Sequence, residues 1–314
     1  MQNKNSFMVS VPAKIHLLGE HAAVYGKPAI LTAVDRRLSV TVFASNQKEA
    51  LDEYQNLRQI IEPIITKELK IKEIPPYKLT ISSQIPIGSG LGSSAAVATG
   101  VIAALLLFLK VKWNVNLVNK LAFEAEKVFH GNPSGGDNAT VVFGGLLWFQ
   151  KISQDKKIIK HLPFSIPEKL ARNFVLIDTG KPAESTREMV NGVRLLSQEK
   201  PKVVEKFLID QQHLTHELVE VIKNSNEERL MQIIREGERN LETIGVVSPY
   251  VSSMIRIIEA VGGAAKICGG GGKTKGTGML LAYHPNPLVI KQIAEKRKLS
   301  FFQTRLGVEG LRRE

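Results

Sequence analysis

The sequence is poor in cysteine and in aromatic residues. Its 314 residues include one cysteine, Cys268, and aromatic side chains make up 6% of the chain. A single cysteine excludes a disulfide framework and a multi-cysteine metal site within one chain, and it suits a reducing compartment. Binders of single-stranded nucleic acid interleave aromatic side chains with a basic face. Because aromatics are few and the lysines are scattered, we expect no nucleic-acid partner.

The chain also lacks a hydrophobic run long enough to predict a membrane span. Its longest uncharged apolar stretch, residues 95–109, falls short of the roughly 20 residues that a membrane-spanning helix needs. Residues 1–7 are polar and contain no signal-peptide core. We therefore expect a cytoplasmic protein without a membrane partner.

Acidic residues are fewer than basic ones. The chain has 42 Lys and Arg against 30 Asp and Glu, which gives a formal net charge of +12. A basic balance favours anionic partners such as nucleotides, nucleic acids or acidic metabolites. A solvated surface rich in lysine explains the same count equally well. The length is ample for a large core, in one long domain or two packed ones.

Alternating and helical hydrophobic patterns predict a protein of the α+β class. Strands are predicted at residues 9–15, 38–43, 79–85, 141–150, 174–178, 264–268, 278–283 and 301–306. Helices are predicted at residues 49–69, 94–109, 117–128, 185–196, 202–225, 226–241 and 251–260, and between the last two strands. Loops are predicted at residues 19–27, 86–92 and 132–138, and a linker at 154–167. The linker predicts two domains, residues 1–165 and 166–314.

A glycine-rich turn precedes the long apolar helix. Residues 86–94 read PIGSGLGSS, and the three glycines free the backbone to turn sharply without side chains that would block a ligand. The amides of the turn and the helix N-terminus predict an anion site. The spacing fits neither a Walker P-loop nor a Rossmann fingerprint, and a bare glycine turn is often only structural. Ser93, the expected N-cap, and Ser94 favour a phosphate or Mg²⁺ site.

Several charged side chains are candidates for chemistry. Lys14 lies at the end of the first predicted strand, Glu20 and His21 follow it, and Glu126 and Asp137 lie near the middle of the chain. Each alone is more simply explained as a solvated or structural residue, and no third ligand supports a histidine metal site. Phosphoryl transfer needs a carboxylate for Mg²⁺, a carboxylate near the attacking hydroxyl, and a cation. The chain offers Glu126, Asp137 and Lys14 for these roles, but the residues alone do not name a substrate.

Three segments resemble the three sequence motifs of the GHMP kinase superfamily, in the same order. Residues 12–21 (PAKIHLLGEH) with 24–29 (VYGKPA) resemble the first motif. Residues 86–96 (PIGSGLGSSAA) resemble the second motif, the ATP phosphate loop, and residues 264–272 (AAKICGGGG) the third. One glycine loop alone would be a weak signal, but the combination is specific and the resemblance spans about the whole chain.

Two stretches are most similar to the mevalonate kinases within this superfamily. They are residues 19–26 (GEHAAVYG) and 130–138 (HGNPSGGDN), with weaker agreement at 178–187 and 240–248. The resemblance implies ATP-dependent phosphorylation of mevalonate to 5-phosphomevalonate in isoprenoid biosynthesis, with Mg²⁺ as cofactor. A kinase for phosphomevalonate, a sugar or homoserine stays open as an alternative, as does a non-catalytic sensor of the same fold.

The resemblance further implies a two-domain GHMP kinase fold with the site between the domains. The N-terminal ATP-binding domain is expected to resemble domain 2 of ribosomal protein S5, and the C-terminal domain to be a ferredoxin-like α+β fold. The oligomeric state stays open, with a homodimer as one candidate.

The resemblance also assigns roles to individual residues. Asp137 would be the catalytic base or charge stabiliser, and Lys14 would pair with it. Ser94 and Glu126 would hold Mg²⁺. The other assigned residues are the mevalonate contacts Glu20, His21 and Thr186, and the phosphate-binding positions Gly88, Ser89, Gly90, Leu91, Gly92, Ser93 and Ser94.

The third motif departs from the family pattern. Many members read GAGGGGC there, whereas residues 268–278 of this chain read CGGGGKTKGTG, without the alanine and with two added lysines. We predict that Lys273 or Lys275 lies near bound phosphate or at the rim of the cleft. A solvated hairpin tip is the alternative.

Overall fold

A computed structural model of the chain describes residues 6–46, 53–130, 133–153 and 156–314. Within these ranges the chain forms two antiparallel sheets accompanied by helices. The strands are β1 Ser6–Leu18, β2 Ala29–Ala44, β3 Tyr77–Ser83, β4 Leu146–Lys151, β5 Lys157–His161, β6 Phe174–Asp178, β7 Ala264–Ile267, β8 Met279–Tyr283, β9 Phe301–Gln303 and β10 Arg312–Arg313.

The helices complete this order, together with a short 3-10 turn at Ala22–Tyr25. They are α1 Gln55–Leu69, α2 Ser93–Phe108, α3 Val115–His130, α4 Gly136–Phe143, α5 Glu168–Ala171, α6 Thr186–Glu199, α7 Pro201–Lys223, α8 Glu227–Thr243, α9 Pro249–Ala260 and α10 Pro287–Lys296. Among the helices of the described ranges, none combines the length and the apolar character that crossing a bilayer requires.

The first sheet brings the chain's N-terminal strand to the predicted phosphate loop. Its strand order is β10-β1-β2-β4-β5, and β3 pairs with β2 beside this path. The pairing of β1 with β2 shifts register between Pro12 and Ala13 and again between His16 and Leu18. Such irregularities bend a strand and re-aim its side chains. Lys14 lies between the two shifts.

Helix α2 lies against this sheet and is apolar on every face. Such a helix must be buried all round, and the side chains from Ala98 to Leu105 are no more than 1% exposed where burial is given. Gly100 allows the close approach, because a β-carbon there would lie 2.6 Å from Val40 Cγ2. This packing fixes the position of the N-terminus of α2 and therefore the position of the glycine-rich turn that precedes it.

The second sheet has the order β7-β8-β6-β9. The largest hydrophobic cluster contains residues from both sheets, including Val11 of β1, Leu176 of β6 and Tyr283 of β8. The apolar core therefore continues across residue 165, and the division of the chain there stays a prediction.

Helix α4 replaces parts of two predicted elements. Residues 132–138 were predicted as a loop and 141–150 as a strand, but Gly136–Phe143 is helical and β4 begins only at Leu146. The β-branched Val141 and Val142 suggested a strand, whereas the structure buries them in a helix. Residues 131 and 132, part of the mevalonate kinase-like stretch, lie outside the described residues.

The linker predicted at residues 154–167 is also wrong in part. Lys157–His161 forms β5, which pairs with β4 at the end of the sheet. Edge strands often carry lysines, because lysines discourage pairing with other chains. In the sequence, the lysines of this segment indicated a linker instead. Residues 154 and 155 lie outside the described residues. So do residues 49–52 of the first predicted helix, which begins at Gln55.

Candidate active site

The predicted phosphate loop is a left-handed glycine turn between β3 and α2. Gly88, Gly90 and Gly92 have φ values of 71°, 81° and 71°, a region that glycine enters without steric cost. Gly92 is the N-cap of α2, so the prediction that Ser93 would be the cap is wrong. Gly92 has no side chain to cap the helix, and amides at a helix N-terminus favour an anion.

The inward side of this loop is fixed by bonds to the rest of the fold. Ser89 is 4% exposed, and its hydroxyl donates to the carbonyl of Pro86 at 2.8 Å. The carbonyl of the fully buried Leu91 accepts from the backbone N–H of Lys14 at 3.0 Å. The Ser89 hydroxyl and the Leu91 carbonyl therefore hold the loop. Because both side chains are buried, only backbone groups at these positions are suited to bind phosphate.

Lys14 and Asp137 meet beside the phosphate loop. The Lys14 Nζ lies 3.0 Å from Asp137 Oδ1, with the lysine 3% exposed and the aspartate 37% exposed. Lys14 comes from β1, and Asp137 from the first turn of α4. The lysine stem packs along Gly92 so closely that a β-carbon there would lie 2.7 Å from Lys14 Cγ. The ion pair is therefore adjacent to the N-terminus of α2, with only the carboxylate open to a ligand.

A second carboxylate lies at the same helix start. The Ser94 hydroxyl is 3.4 Å from Glu126 Oε1, and Glu126 is 5% exposed. Burial, and after it the negative charge of Asp137, raise the pKa of Glu126 to about 7, although Ser94 and Lys14 oppose the shift. A divalent cation would remove the repulsion between the two carboxylates.

This oxygen-rich donor set fits Mg²⁺. In the described ranges, no cluster of three or more His, Cys, Asp or Glu side chains could hold a metal ion. Mg²⁺ in kinases is usually bound through one or two carboxylates together with substrate phosphates and water. Ser94 and Glu126 at the phosphate loop match that requirement.

The three predicted substrate residues gather around Gly270 of the third glycine-rich segment. His21 Nε2 lies 3.0 Å from the Gly270 carbonyl oxygen. A β-carbon on Gly270 would lie 3.2 Å from Thr186 Oγ1. Glu20 precedes His21 and forms an ion pair with Lys266, four residues before Gly270. The segment thus joins parts of the chain that are far apart in sequence.

The third segment also supports the phosphate loop from behind. A β-carbon on Gly269 would lie 2.8 Å from Gly90 Cα, and the Met279 N–H donates to the Ser89 carbonyl at 2.8 Å. Lys273 and Lys275 are exposed. The Lys273 Nζ lies 3.2 Å from the position of a β-carbon on Gly192 of α6. A phosphate contact by either lysine stays a prediction.

Two buried charged residues at this site were given no role from the sequence. Lys266 and Glu238 are both 0% exposed, and the Glu238 carboxylate accepts from the Ile267 N–H at 3.0 Å. Burial raises the pKa of Glu238 to about 8. The available signal was a lysine inside the apolar strand pattern AAKI, because a buried charge needs a partner. No comparable signal distinguished Glu238 from the other glutamates of α8.

The chain is similar to known kinases over most of its length. Residues 56–145 match the family model described as "GHMP kinases N terminal domain". The mevalonate kinase of Archaeoglobus fulgidus is 33% identical over 272 residues, which cover 84% of this chain and 89% of that protein.

Solved structures share the fold. The structure of L. major mevalonate kinase in complex with R-mevalonate has a TM-score of 0.77 and 21% identity, covering 94% of both chains. A Streptococcus pneumoniae phosphomevalonate kinase in complex with phosphomevalonate and AMPPNP has a TM-score of 0.78 and 17% identity, covering 95% of this chain and 99% of that one. At these identities the structural likeness confirms the predicted α+β GHMP kinase fold alone.

Proposed function

The chain belongs to the mevalonate kinases of the GHMP kinase family, and we propose that it transfers the γ-phosphoryl group of ATP to the primary alcohol of mevalonate, giving 5-phosphomevalonate. The observation that carries the proposal is the ion pair of Lys14 and Asp137 beside the phosphate loop, with Nζ and Oδ1 3.0 Å apart. A loop that only bound nucleotide would not need this pair.

The phosphate loop is the proposed site of the ATP phosphates. Its backbone amides and the uncapped N-terminus of α2 favour a polyanion, because the helix dipole places partial positive charge there. The positions from Gly88 to Ser94 are the proposed contacts. Their open, glycine-rich geometry lets phosphate oxygens approach the amides closely.

Asp137 is the proposed acceptor of the substrate proton. The O–H bond of the alcohol breaks toward the carboxylate while the alcohol oxygen forms its bond to the γ-phosphorus. The bond from that phosphorus to the β,γ-bridging oxygen then breaks, and ADP leaves. A carboxylate that is 37% exposed and held at one oxygen by Lys14 keeps its other oxygen available for the hydroxyl.

Lys14 is proposed to orient Asp137 and to offset negative charge on the attacking oxygen. Its ammonium is 3% exposed, and electrostatic interactions are stronger away from solvent. In phosphoryl transfer most of the acceleration comes from positioning and charge stabilisation. A fixed, buried cation beside the reacting oxygen provides both.

Ser94 and Glu126 are the residues that would hold Mg²⁺. When bound, the ion would offset the charge of the ATP phosphates. The buried Glu126 carboxyl would lose its proton on binding, because the ion favours the charged form. Glu20, His21 and Thr186 are the proposed contacts of mevalonate.

An ADP-release assay tests the proposal. Purified protein with ATP and Mg²⁺ would be offered mevalonate, phosphomevalonate, homoserine and galactose separately. We expect kcat/KM for mevalonate to exceed that for each other alcohol by about tenfold or more, since sites that hydrogen-bond a substrate reject analogues strongly. A higher value for another alcohol would assign that substrate instead, and binding without ADP release would indicate a sensor.

A further inference from the structure

A lysine ammonium lies wholly inside the protein, next to the predicted substrate residues. Lys266 of β7 is 0% exposed. Its Nζ donates to the Glu20 carboxylate, to the Ile267 carbonyl at 2.6 Å and to the His16 carbonyl at 3.3 Å. An ammonium has three N–H donors, and three acceptors are present. The ammonium therefore has no donor left for a ligand and can act only through its partners.

Glu20 is the carboxyl group in direct contact with this buried cation. Glu238 of α8 is the other carboxyl whose charge acts on Lys266. Burial raises the pKa of Glu238 to about 8, so it is mainly neutral at pH 7. Burial also raises the pKa of Glu20 above its usual range, and the ammonium of Lys266 is the largest influence that favours the charged form. Without the ammonium, an ionised Glu20 would be an uncompensated buried charge, which must either take up a proton or move.

The turn that carries Glu20 is tied to the same segment a second time. His21, the next residue, bonds to the Gly270 carbonyl oxygen at 3.0 Å. Its φ of 58° is uncommon for a residue other than glycine and persists only where the surroundings impose it. The two contacts, Lys266 with Glu20 and Gly270 with His21, therefore determine the conformation of the turn.

The turn at Glu20 and His21 contains two polar atoms that are available to a ligand. Within the described part of the chain, Glu20 Oε2 and His21 Nδ1 are buried and have no hydrogen-bond partner. Buried polar atoms are almost always paired, so each exception requires an explanation. An acceptor and a ring nitrogen on adjacent residues suit a polyhydroxylated carboxylic acid, whose hydroxyl groups both donate and accept.

We propose that Lys266 is a positioning residue of the substrate site, which favours the ionised form of Glu20 and orients its carboxylate so that Glu20 and His21 receive the alcohol substrate. The inference rests on the proposed function. It assigns Lys266 no contact with substrate, nucleotide or the reacting atoms. Its effect should therefore appear in the binding of the alcohol and not in the binding of ATP.

Two variants and a matched control test this role. Lys266→Met keeps most of the length of the unbranched side chain and removes the charge. The double variant Glu20→Gln/Lys266→Met also removes the carboxylate charge of Glu20, which would otherwise be left without a partner. Arg235→Met is the control, because Arg235 of α8 donates to the Gly263 carbonyl at 3.0 and 2.5 Å, just before β7. This control removes a partly buried hydrogen bond next to the same strand and leaves Glu20 unchanged.

The measurements are KM for mevalonate and for ATP, kcat, and direct binding of mevalonate by calorimetry. We expect Lys266→Met to raise KM and the dissociation constant for mevalonate about tenfold or more, the loss that follows from one hydrogen bond to a charged group. KM for ATP should change less than about twofold. Arg235→Met should leave both KM values unchanged, even where its thermal midpoint falls.

The outcomes separate this inference from the proposed function. Wild-type protein without mevalonate-dependent ADP release would refute the proposed function. Wild-type turnover combined with a normal mevalonate KM in Lys266→Met, or with equal rises in both KM values, would overturn the positioning role. If Lys266→Met does not fold, the double variant tests the positioning role instead, because it contains no unbalanced charge at residue 20. It should bind mevalonate weakly, and wild-type affinity there would also overturn the inference.

Discussion

Gly92 is the residue on which the position of Lys14 depends. Its φ of 71° and its contact with the lysine stem leave no room for a β-carbon, which would lie 2.7 Å from Lys14 Cγ and 2.9 Å from Cε. The absence of a side chain therefore keeps the ammonium against Asp137. The glycine pattern predicted a phosphate loop, but a role in placing a lysine from another strand could be recognised only in three dimensions.

Gly92→Ala should disable the enzyme by displacing Lys14. The left-handed conformation alone costs about 1–2 kcal/mol for alanine, and the collision adds displacement of the ammonium. We expect kcat to fall about 100-fold, as when a positioned catalytic group is misplaced. Gly245→Ala is the control, because Gly245 has a φ of 72° with no atom within 4 Å. It should lose stability and keep kcat, whereas equal kcat losses in both variants would refute the collision.

Glu238 should make stability depend on pH. Burial raises its pKa from 4.5 to about 8, so the native state binds this proton more tightly than the unfolded chain does. The stabilising contribution is complete below the unfolded pKa and is lost as pH rises through the native pKa. Glu238→Gln mimics the neutral acid and avoids that loss.

Urea unfolding of wild type and Glu238→Gln at about pH 5 and about pH 9 tests the direction of this pH dependence. The free energy of unfolding of Glu238→Gln, relative to wild type, should rise with pH by on the order of 1 kcal/mol or more, given about 1.4 kcal/mol per pKa unit. A difference that stays constant between the two pH values would contradict the assignment.

At the scale of elements, segments with one clear periodicity were predicted well. The strand at Phe174–Asp178 was predicted with its observed ends, and the apolar run after the glycine turn is helix α2. Helix α4 was missed because Val141 and Val142 favour strands, while burial against the core holds them in a helix. The edge strand β5 was missed because the lysines and prolines of this segment indicated a linker, although Lys157 is half-buried and lies over the Phe123 ring.

The third glycine-rich segment should influence ATP use from behind the phosphate loop. Gly269→Ala would place a β-carbon 2.8 Å from Gly90 Cα and 3.1 Å from the Gly90 carbonyl oxygen. Because both contacts are backbone, the phosphate loop must shift. We expect KM for ATP to rise about tenfold, the effect of losing one good phosphate hydrogen bond. An unchanged KM for ATP in a folded variant would show that the two loops move independently.

At the scale of the molecule, distant contacts set the limit of what the sequence could predict. The family resemblance and the α+β class are confirmed. The roles of the site residues stay predictions, although the structure brings Lys14, Ser94, Glu126 and Asp137 to one helix start. Lys266 and Glu20 are 246 residues apart in the chain, and local periodicity contains no information about such pairs. The cytoplasmic location and the homodimer also stay predictions.

The proposed role of Asp137 is to take the proton of the alcohol at the end of the ATP phosphates. Its most direct test is the ADP-release rate of Asp137→Asn at saturating mevalonate and ATP, with ATP affinity measured by calorimetry. We predict a rate at least about 100-fold below wild type, the usual contribution of a general base, with ATP affinity retained. Near-normal turnover by Asp137→Asn would contradict the account.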